Sequence, residues 1–210
     1  STYLNKQAAK YSGIANFIFN NSLTSKIIKA QGNIAVKRSI PKVSSKSFSK
    51  IYQHIKKQEV KEHKVLLFVD EFSNYLEAEI ALDAYELLSE LGYEIEVIHH
   101  LDSARAMLSK GFLDEAKIEA EKNIAYLKSK VSREVPLVGI EPSAILGFKD
   151  EYLRLVDDLQ GARHISENTL LLEEFLASEV ERGNISANQF TSEEKQIKIH
   201  VHCHQKALSN

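Results

Sequence analysis

Residues 136–146 read PLVGIEPSAIL, and this run predicts a short strand followed at once by a helix. Residues 137–141 are apolar up to the final glutamate, as in a strand that is buried on both faces. Pro142 lacks a backbone N–H and holds the residue before it extended, so the strand must end there. Ser143 is a favourable N-cap and predicts a helix that runs to Val156. Such a corner is where α/β proteins place ligands.

Apolar runs on either side of this corner predict three more strands. They cover Val65–Val69, Tyr93–His99 and Ile197–Cys203. Helical patterns of ten or more residues separate the strands, which favours right-handed crossovers and a parallel sheet. The sequence therefore predicts an α/β fold, a three-layer, Rossmann-like parallel sheet with flanking helices, over residues 61–210.

Polar residues mark where the helices of this domain should begin. Ser73-Asn74, with Glu77 three residues after the asparagine, has the pattern of a capping box. Asp102-Ser103 is expected to cap the following helix, and Leu170–Val180 forms another amphipathic pattern.

Residues 1–60 are predicted to be a helical and extended appendage that precedes the α/β domain. Apolar residues recur at helical spacing up to residue 31, with a break at Asn20-Asn21-Ser22 where Ser22 or Thr24 could act as the cap. Residues 33–50 contain Pro41 and several serines and should be extended. One more short helix is expected within residues 47–55.

Charge is divided unevenly along the chain. Residues 1–63 carry 12 Lys/Arg and two acids, a balance of +10, whereas residues 64–210 carry 15 Lys/Arg and 27 acids, a balance of −12. The basic residues are scattered singly and accompany no nucleic-acid-binding motif. We therefore expect the appendage to dock on the acidic body of its own chain, and we expect no nucleic-acid partner.

The composition excludes several classes of protein. No apolar run reaches the ~18–20 residues of a membrane span, and the N-terminal residues have no signal-peptide pattern, so a cytoplasmic location is expected. Cys203 is the single cysteine. It excludes an internal disulfide and any cluster or zinc site built from several thiolates of this chain alone.

The residues point to few catalytic or ligand-binding arrangements. The turn after the first strand, residues 70–74, contains no glycine, which excludes a dinucleotide-binding loop. On a strand, His200, His202 and His204 would share one face, with Cys203 on the other. Either these histidines bind a metal ion or they are satisfied residues of a partly buried strand end. His99-His100 should lie at the same edge of the sheet.

Four stretches together resemble a known family. They are VLLFVDEFSNY at residues 65–75, RAMLSKGFLDEA at 105–116, GIEPSA at 139–144 and HCHQKAL at 202–208. The combination is similar to the cysteine-rich domain at the C-terminus of FAD-linked oxidases of the glycolate and D-lactate dehydrogenase kind. That domain is shared more distantly with heterodisulfide reductases. The resemblance implies a parent with a flavin-binding portion, a ferredoxin-like iron–sulfur portion and two α/β units that each carry a Cys-Cys-Gly motif.

The chain departs from this family at the cluster ligands. Asp102-Ser103-Ala104-Arg105 stands where the family has Cys-Cys-Gly-Arg, and Ala144 stands where it often has cysteine. Cys203 matches the cysteine that opens the ligand set of the second unit, which makes it the candidate cofactor residue. Cys203, with His202 and His204 on either side, is also the candidate metal-binding set. No complete active site and no cofactor are expected in this chain, whereas FAD and an iron–sulfur cluster are implied for the parent.

Three functional hypotheses are compatible with the sequence. The first is a fragment of a larger FAD-linked oxidoreductase, 2-hydroxy-acid dehydrogenase-like, that contacts the flavin-binding and ferredoxin-like portions of its parent. In that case the chain supplies a degenerate cysteine-rich domain for structure, interdomain docking or electron-transfer assembly. The second is a free-standing α/β interaction module without a redox role. The third is a binder of a metal or small ligand through the residues from His200 to His204.

Overall fold

Residues 2–56 and 60–208 are described by a computed structural model, and they divide into two units. The first unit comprises the residues up to Lys56 together with Glu71–Leu82, and the second comprises the remainder. None of the described helices is both long enough and apolar enough to cross a membrane.

The first unit is helical. Asn21 caps the third helix, because its side-chain oxygen accepts the backbone N–H groups of Leu23 and Thr24 at 3.0 and 3.3 Å. The predicted break at residues 20–22 is therefore confirmed, with Asn21 as the cap instead of Ser22 or Thr24. The helices are α1 (Thr2–Lys10), α2 (Ser12–Asn20), α3 (Ser22–Gln31), α4 (Phe48–Tyr52), α5 (Glu71–Tyr75) and the first residues of α6 (Ala78–Glu90).

Side chains of this unit hold the extended segment between α3 and α4. The amide of Asn16 donates to the carbonyl of Val43 at 2.8 Å and accepts its N–H at 2.9 Å. The hydroxyl of Ser44 accepts the N–H of Ala78, the first residue of α6, at 3.1 Å. The capping box predicted at Ser73-Asn74 is wrong, because Asn74 lies inside α5 and its side chain accepts the N–H of Ser49.

The second unit contains a four-stranded sheet in which every strand is parallel to its neighbours. Its order is β2-β1-β3-β4, and Leu66 of β1 lies opposite Leu137 of β3, which lies opposite Thr169 of β4. The strands are β1 (His63–Phe68), β2 (Tyr93–Ile98), β3 (Leu137–Gly139) and β4 (Thr169–Leu171). The predicted fold class, a parallel α/β sheet with flanking helices, is confirmed.

The fourth strand is not where the sequence predicted it. Ile197–Cys203 is not a strand, and Ile197 and Ile199 are 76% and 83% exposed. The strand is Thr169–Leu171 instead, at the start of the stretch for which a helix was expected. Three residues are too few to show a strand period, whereas the alternation at 197–203 imitates one without a neighbouring strand to pair with.

Helices follow each of the later strands. The helices are α7 (Arg105–Leu108), α8 (Leu113–Leu127), α9 (Pro142–Ile145), α10 (Tyr152–Leu155), α11 (Leu159–Glu167), α12 (Leu172–Glu181) and α13 (Cys203–Leu208). Short 3-10 turns cover Leu146–Phe148 and Ala187–Gln189. The single helix predicted from Ser143 to Val156 is therefore wrong, since α9, a 3-10 turn and α10 divide it.

Aromatic rings and aliphatic side chains fill the core beside this divided helix. Phe148 packs edge-on against Phe68 of β1 at 5.2 Å between centroids, and its ring lies 4.5 Å from that of Tyr152. Gly139, the last residue of β3, lies so close to α9 that a Cβ at this position would stand 2.5 Å from the Cβ of Ile145. The close approach of strand and helix therefore requires glycine.

Charged side chains surround the edge strand β2, which pairs only with β1 among the described residues. Glu96 of β2 contacts Lys130 at 2.6 Å and Lys64 at 2.9 Å. Partial burial raises the pKa of Glu96, but the hydrogen bonds from the two lysines outweigh it and hold this pKa below the ordinary 4.5.

Candidate functional site

The corner after β3 is held by Glu141. Its Oε2 accepts the backbone N–H of Ala144 at 2.7 Å and the hydroxyl of Ser143 at 2.6 Å. The prediction that Ser143 is the N-cap is wrong, because Pro142 occupies the first position of α9 and the cap is the residue before it. The carboxylate takes the place that a serine or aspartate side chain usually fills at a helix start.

The loop between β2 and α7 contains a residue in the left-handed conformation. Ala104 has φ +57° and ψ −2° and is 2% exposed. The N-cap position belongs to Ala104, so the predicted cap at Asp102-Ser103 is wrong, although the Ser103 hydroxyl accepts the N–H of Arg105 at 3.3 Å. A non-glycine residue with positive φ is uncommon and costs free energy.

Two buried side chains hold this loop in place. The amide of Asn123 in α8 donates to the carbonyl of Asp102 at 2.8 Å. The hydroxyl of Tyr152 in α10 donates to the carbonyl of Ser103 at 3.1 Å, and Asn123 also donates to this hydroxyl at 3.0 Å. Because Asn123 and Tyr152 are fully buried, the loop is fixed to both helices.

A cluster of one histidine and two carboxylates lies beside this loop. Nε2 of His204 in α13 lies 3.8 Å from Oε2 of Glu151 and 4.0 Å from Oδ2 of Asp150. The other oxygen of each carboxylate pairs with an arginine, Arg105 for Glu151 and Arg154 for Asp150, both at 2.5 Å. Asp150, Glu151 and His204 each have a ligand atom within 4.8 Å of the others, a spacing at which they could hold a metal ion.

The predicted ligand set of residues 202–204 is therefore divided. His204 joins the two carboxylates, whereas Cys203 is exposed and the ring of His202 accepts the backbone N–H of His204 at 3.2 Å. His200 is exposed as well. The expectation that the three histidines share a strand face is wrong, because this segment is irregular until α13 begins at Cys203. The assignment of cofactor and metal binding to Cys203 and His202 stays a prediction.

Sequence reasoning missed Asp150 and Glu151. These residues were placed inside one predicted helix, although they lie in the turn before α10. Their neighbours in sequence give no sign of a ligand site, and more than fifty positions separate them from His204. Only the packing of α13 against α9 brings the three side chains together.

The histidine pair after β2 lies apart from this cluster. Burial lowers the pKa of His99 below its ordinary 6.5, and the neighbouring His100 acts in the same direction. The His100 ring meets that of Tyr126 edge-on, with 4.7 Å between centroids. Among the described residues, neither histidine belongs to a group of three candidate metal ligands.

A cleft of about 480 Å³ lies at the opposite edge of the sheet, where the strands begin. At its wall the hydroxyl of Tyr93 donates to Glu179 at 2.6 Å, and Glu179 also accepts from Asn184 and Arg182 at 2.8 Å. Burial raises the pKa of Glu179, yet these hydrogen bonds hold it below the ordinary 4.5. Burial and the same carboxylate raise the pKa of Tyr93. Ligands of parallel α/β sheets bind at the carboxyl ends of the strands, so this cleft is the weaker candidate for a site.

Comparison with known proteins finds relatives that share one name. The chain is 29% identical over 140 residues to a D-2-hydroxyglutarate dehydrogenase of Pantoea ananatis, a match that covers 67% of this chain and 13% of the relative. It is 30% identical over 123 residues to the enzyme of that name in Escherichia coli, covering 59% of this chain and 12% of the relative. For Haemophilus influenzae the values are 27% over 107 residues, 50% and 10%.

The matched region thus spans only 10–13% of the length of these three relatives. No family model matches the chain. No solved structure matches it either.

Proposed function

We propose that this chain is part of an FAD-linked oxidoreductase that oxidises a 2-hydroxy acid of the D-2-hydroxyglutarate class. The observation that carries the proposal is the match to D-2-hydroxyglutarate dehydrogenases of three bacteria over half to two-thirds of the chain. Because the match covers about one-eighth of the length of the first two relatives, the substrate and flavin sites belong to portions outside this chain.

Within such an enzyme the α/β unit acts as a degenerate cysteine-rich domain. Ala104 supports this role, since it is left-handed at the position where the resembled family has the glycine of Cys-Cys-Gly. Glycine adopts this conformation without a steric penalty, whereas alanine does not. The backbone form of the motif is therefore present although Asp102 and Ser103 replace both cysteines. The unit serves structure, docking between domains or assembly of the electron-transfer portions.

The residues of this chain do not fit the cofactors that the family implies. An iron–sulfur cluster is held by several thiolates, and Cys203 is the single cysteine. The turn after β1 lacks the glycines that let a backbone approach a dinucleotide. We expect the isolated chain to be colourless, with no stoichiometric iron or sulfide after anaerobic purification. Near-stoichiometric iron with visible charge-transfer absorption would contradict this expectation.

The remaining features of the proposal concern where the protein acts and what it contacts. Its partners are the flavin-binding and ferredoxin-like portions of the parent, it binds no nucleic acid, and it acts in the cytoplasm. Weak nucleic-acid binding that vanishes at moderate salt would be consistent with a non-specific contact of the basic residues.

The proposal is tested on the protein that carries this chain in its source organism. An antibody raised against residues 61–208 would isolate that protein, whose mass, FAD content and response to D-2-hydroxyglutarate are then measured under anaerobic conditions. We expect a polypeptide or complex several times larger than 23.7 kDa, whose flavin absorbance bleaches with D-2-hydroxyglutarate but not with the L enantiomer. A flavin-free protein of 23.7 kDa would refute the proposal.

That contrary result would favour an interaction module without a redox role. One observation supports this second candidate, namely large apolar side chains exposed on α2 and α3. Ile14, Phe17, Leu23 and Ile27 are 63%, 68%, 72% and 59% exposed. Exposed apolar surface of this kind marks contacts with other proteins. The module hypothesis predicts that the flavin-free protein is isolated together with a stoichiometric partner.

A further inference from the structure

We propose that Asp150, Glu151 and His204 bind a divalent transition-metal ion of the zinc class, which fastens α13 to the turn before α10. This inference does not depend on the proposed enzymatic function. It replaces the thiolate-centred metal site expected from the sequence with a site made of one imidazole and two carboxylates.

The first argument is the arrangement of the three ligand atoms. His204 Nε2 lies 3.8 Å from Glu151 Oε2 and 4.0 Å from Asp150 Oδ2, and the three atoms lie within 4.8 Å of one another. Zinc binds imidazole nitrogen and carboxylate oxygen at about 2.0–2.2 Å, which places neighbouring ligand atoms roughly 3.4 Å apart in a tetrahedral site. The two distances to His204 Nε2 therefore need to shorten by only about 0.5 Å.

The second argument is an oxygen that lacks a partner. Glu151 Oε2 is buried and takes part in no hydrogen bond with any described residue. A buried polar atom without a partner is costly, and native structures normally satisfy such atoms with protein, water or an ion. This oxygen faces the imidazole of His204, so an ion between them would satisfy it.

The third argument is the support behind each carboxylate. Arg105 Nη1 pairs with Oε1 of Glu151 and Arg154 Nη2 pairs with Oδ1 of Asp150, both at 2.5 Å. Each arginine thus orients one carboxylate and leaves its second oxygen directed toward His204. Hydrogen-bonded carboxylates of this kind are a regular feature of metal sites, where the outer partner fixes the orientation of the ligand.

The ligand types select the metal. Imidazole suits zinc and other transition metals, whereas magnesium and calcium prefer sites made of oxygen alone. Three protein ligands leave a fourth zinc position open to water. The competing explanation is that a protonated His204 forms ion pairs with both carboxylates and that no metal binds, and a zinc titration separates the two.

The experiment titrates the chelator-treated chain with zinc chloride by calorimetry and follows its melting temperature. We expect one zinc ion per chain and a melting temperature that rises with zinc concentration. Glu151→Gln, which keeps the shape of the side chain, and His204→Ala should each weaken zinc binding at least ~10-fold. His200→Ala removes an exposed histidine outside the cluster and should leave the affinity unchanged, as should Cys203→Ser.

Cobalt identifies the ligand atoms directly. The Co²⁺-loaded chain should show visible ligand-field bands without the near-ultraviolet charge-transfer band that a thiolate ligand produces. A thiolate band, together with loss of binding in Cys203→Ser, would overturn the proposal in favour of a site centred on Cys203. A melting temperature that does not respond to zinc, or equal zinc affinity in the unchanged chain and in Glu151→Gln, would overturn it in favour of a protonated ion pair.

Discussion

Replacement of Gly139 by alanine tests the packing of β3 against α9 most directly. The added Cβ would stand 2.5 Å from both Cβ and Cγ1 of Ile145 and 2.7 Å from its Cδ1. Carbon atoms in contact prefer about 3.5–4.0 Å, so strand and helix must separate by roughly 1 Å. Gly139 lies in the buried strand β3 and Ile145 is 0% exposed, so the surrounding core gives little room for this shift.

The expected cost is large for the addition of one methyl group. Overpacking a well-packed core costs about 1–3 kcal/mol and occasionally more, and we place Gly139→Ala at the upper end, about 3 kcal/mol. For a chain of this length that corresponds to a fall in melting temperature of roughly 6–12 °C. Gly147→Ala is the matched control, because its Cβ would meet its nearest atom at 3.6 Å, an ordinary contact distance.

Urea unfolding followed by circular dichroism measures both variants, and a double variant locates the clash. Ile145→Ala alone should cost about 2–5 kcal/mol, as large-to-small core changes do. Because the Cβ of residue 145 itself lies 2.5 Å from the place that the new methyl group would take, Ile145→Ala should not rescue Gly139→Ala. A stability loss under about 1 kcal/mol for Gly139→Ala, the low end of overpacking costs, or rescue in the double variant, would refute the reasoning.

Three further predictions address the caps, the loop and the response to pH. Glu141→Ala removes the N-cap of α9 and should cost about 0.5–2 kcal/mol in urea unfolding, whereas Ser143→Ala should cost less; the reverse order would restore Ser143 as the cap. Ala104→Gly should leave stability unchanged or raise it by up to about 1 kcal/mol, because relief of the positive φ offsets the lost methyl group, whereas Ala120→Gly inside α8 should lower it by about 0.5–1 kcal/mol; equal losses would contradict the role of φ. Since the folded pKa of Glu179 lies below the ordinary 4.5, its carboxylate stabilises the fold above pH 4.5, and this contribution disappears as the pH falls through the folded pKa; the destabilisation by Glu179→Gln should therefore shrink in acid, and an effect independent of pH would contradict it.

The sequence was a good guide where a local pattern has only one structural solution. The apolar runs that contain β1, β2 and β3 are strong signals because parallel strands covered on both faces must be apolar along their length. The break at Asn21 was predictable from the polar residues around it. These signals were sufficient for the fold class.

Features that depend on distant contacts could not be predicted in this way. The alternation at 197–203 imitates a strand, and only the absence of a neighbour for it among the described residues reveals the error. Asn74 has the composition of a cap, but a hydrogen bond from Ser49 places it in another role. The cluster at Asp150 and His204 depends on how α13 packs, for which one sequence alone contains no signal.

The charged surroundings of β2 bear on how this chain behaves when it is handled alone. An edge strand exposes backbone groups that can pair with the edge of a second molecule, and such pairing leads to aggregation. Glu94 and Glu96 occupy β2, and Lys64 and Lys130 lie within salt-bridge distance of its carboxylates. A second copy that approached this edge would have to displace or desolvate those charges. Aggregation should therefore increase when Glu96 and its two lysines are neutralised together, even if the fold itself remains intact.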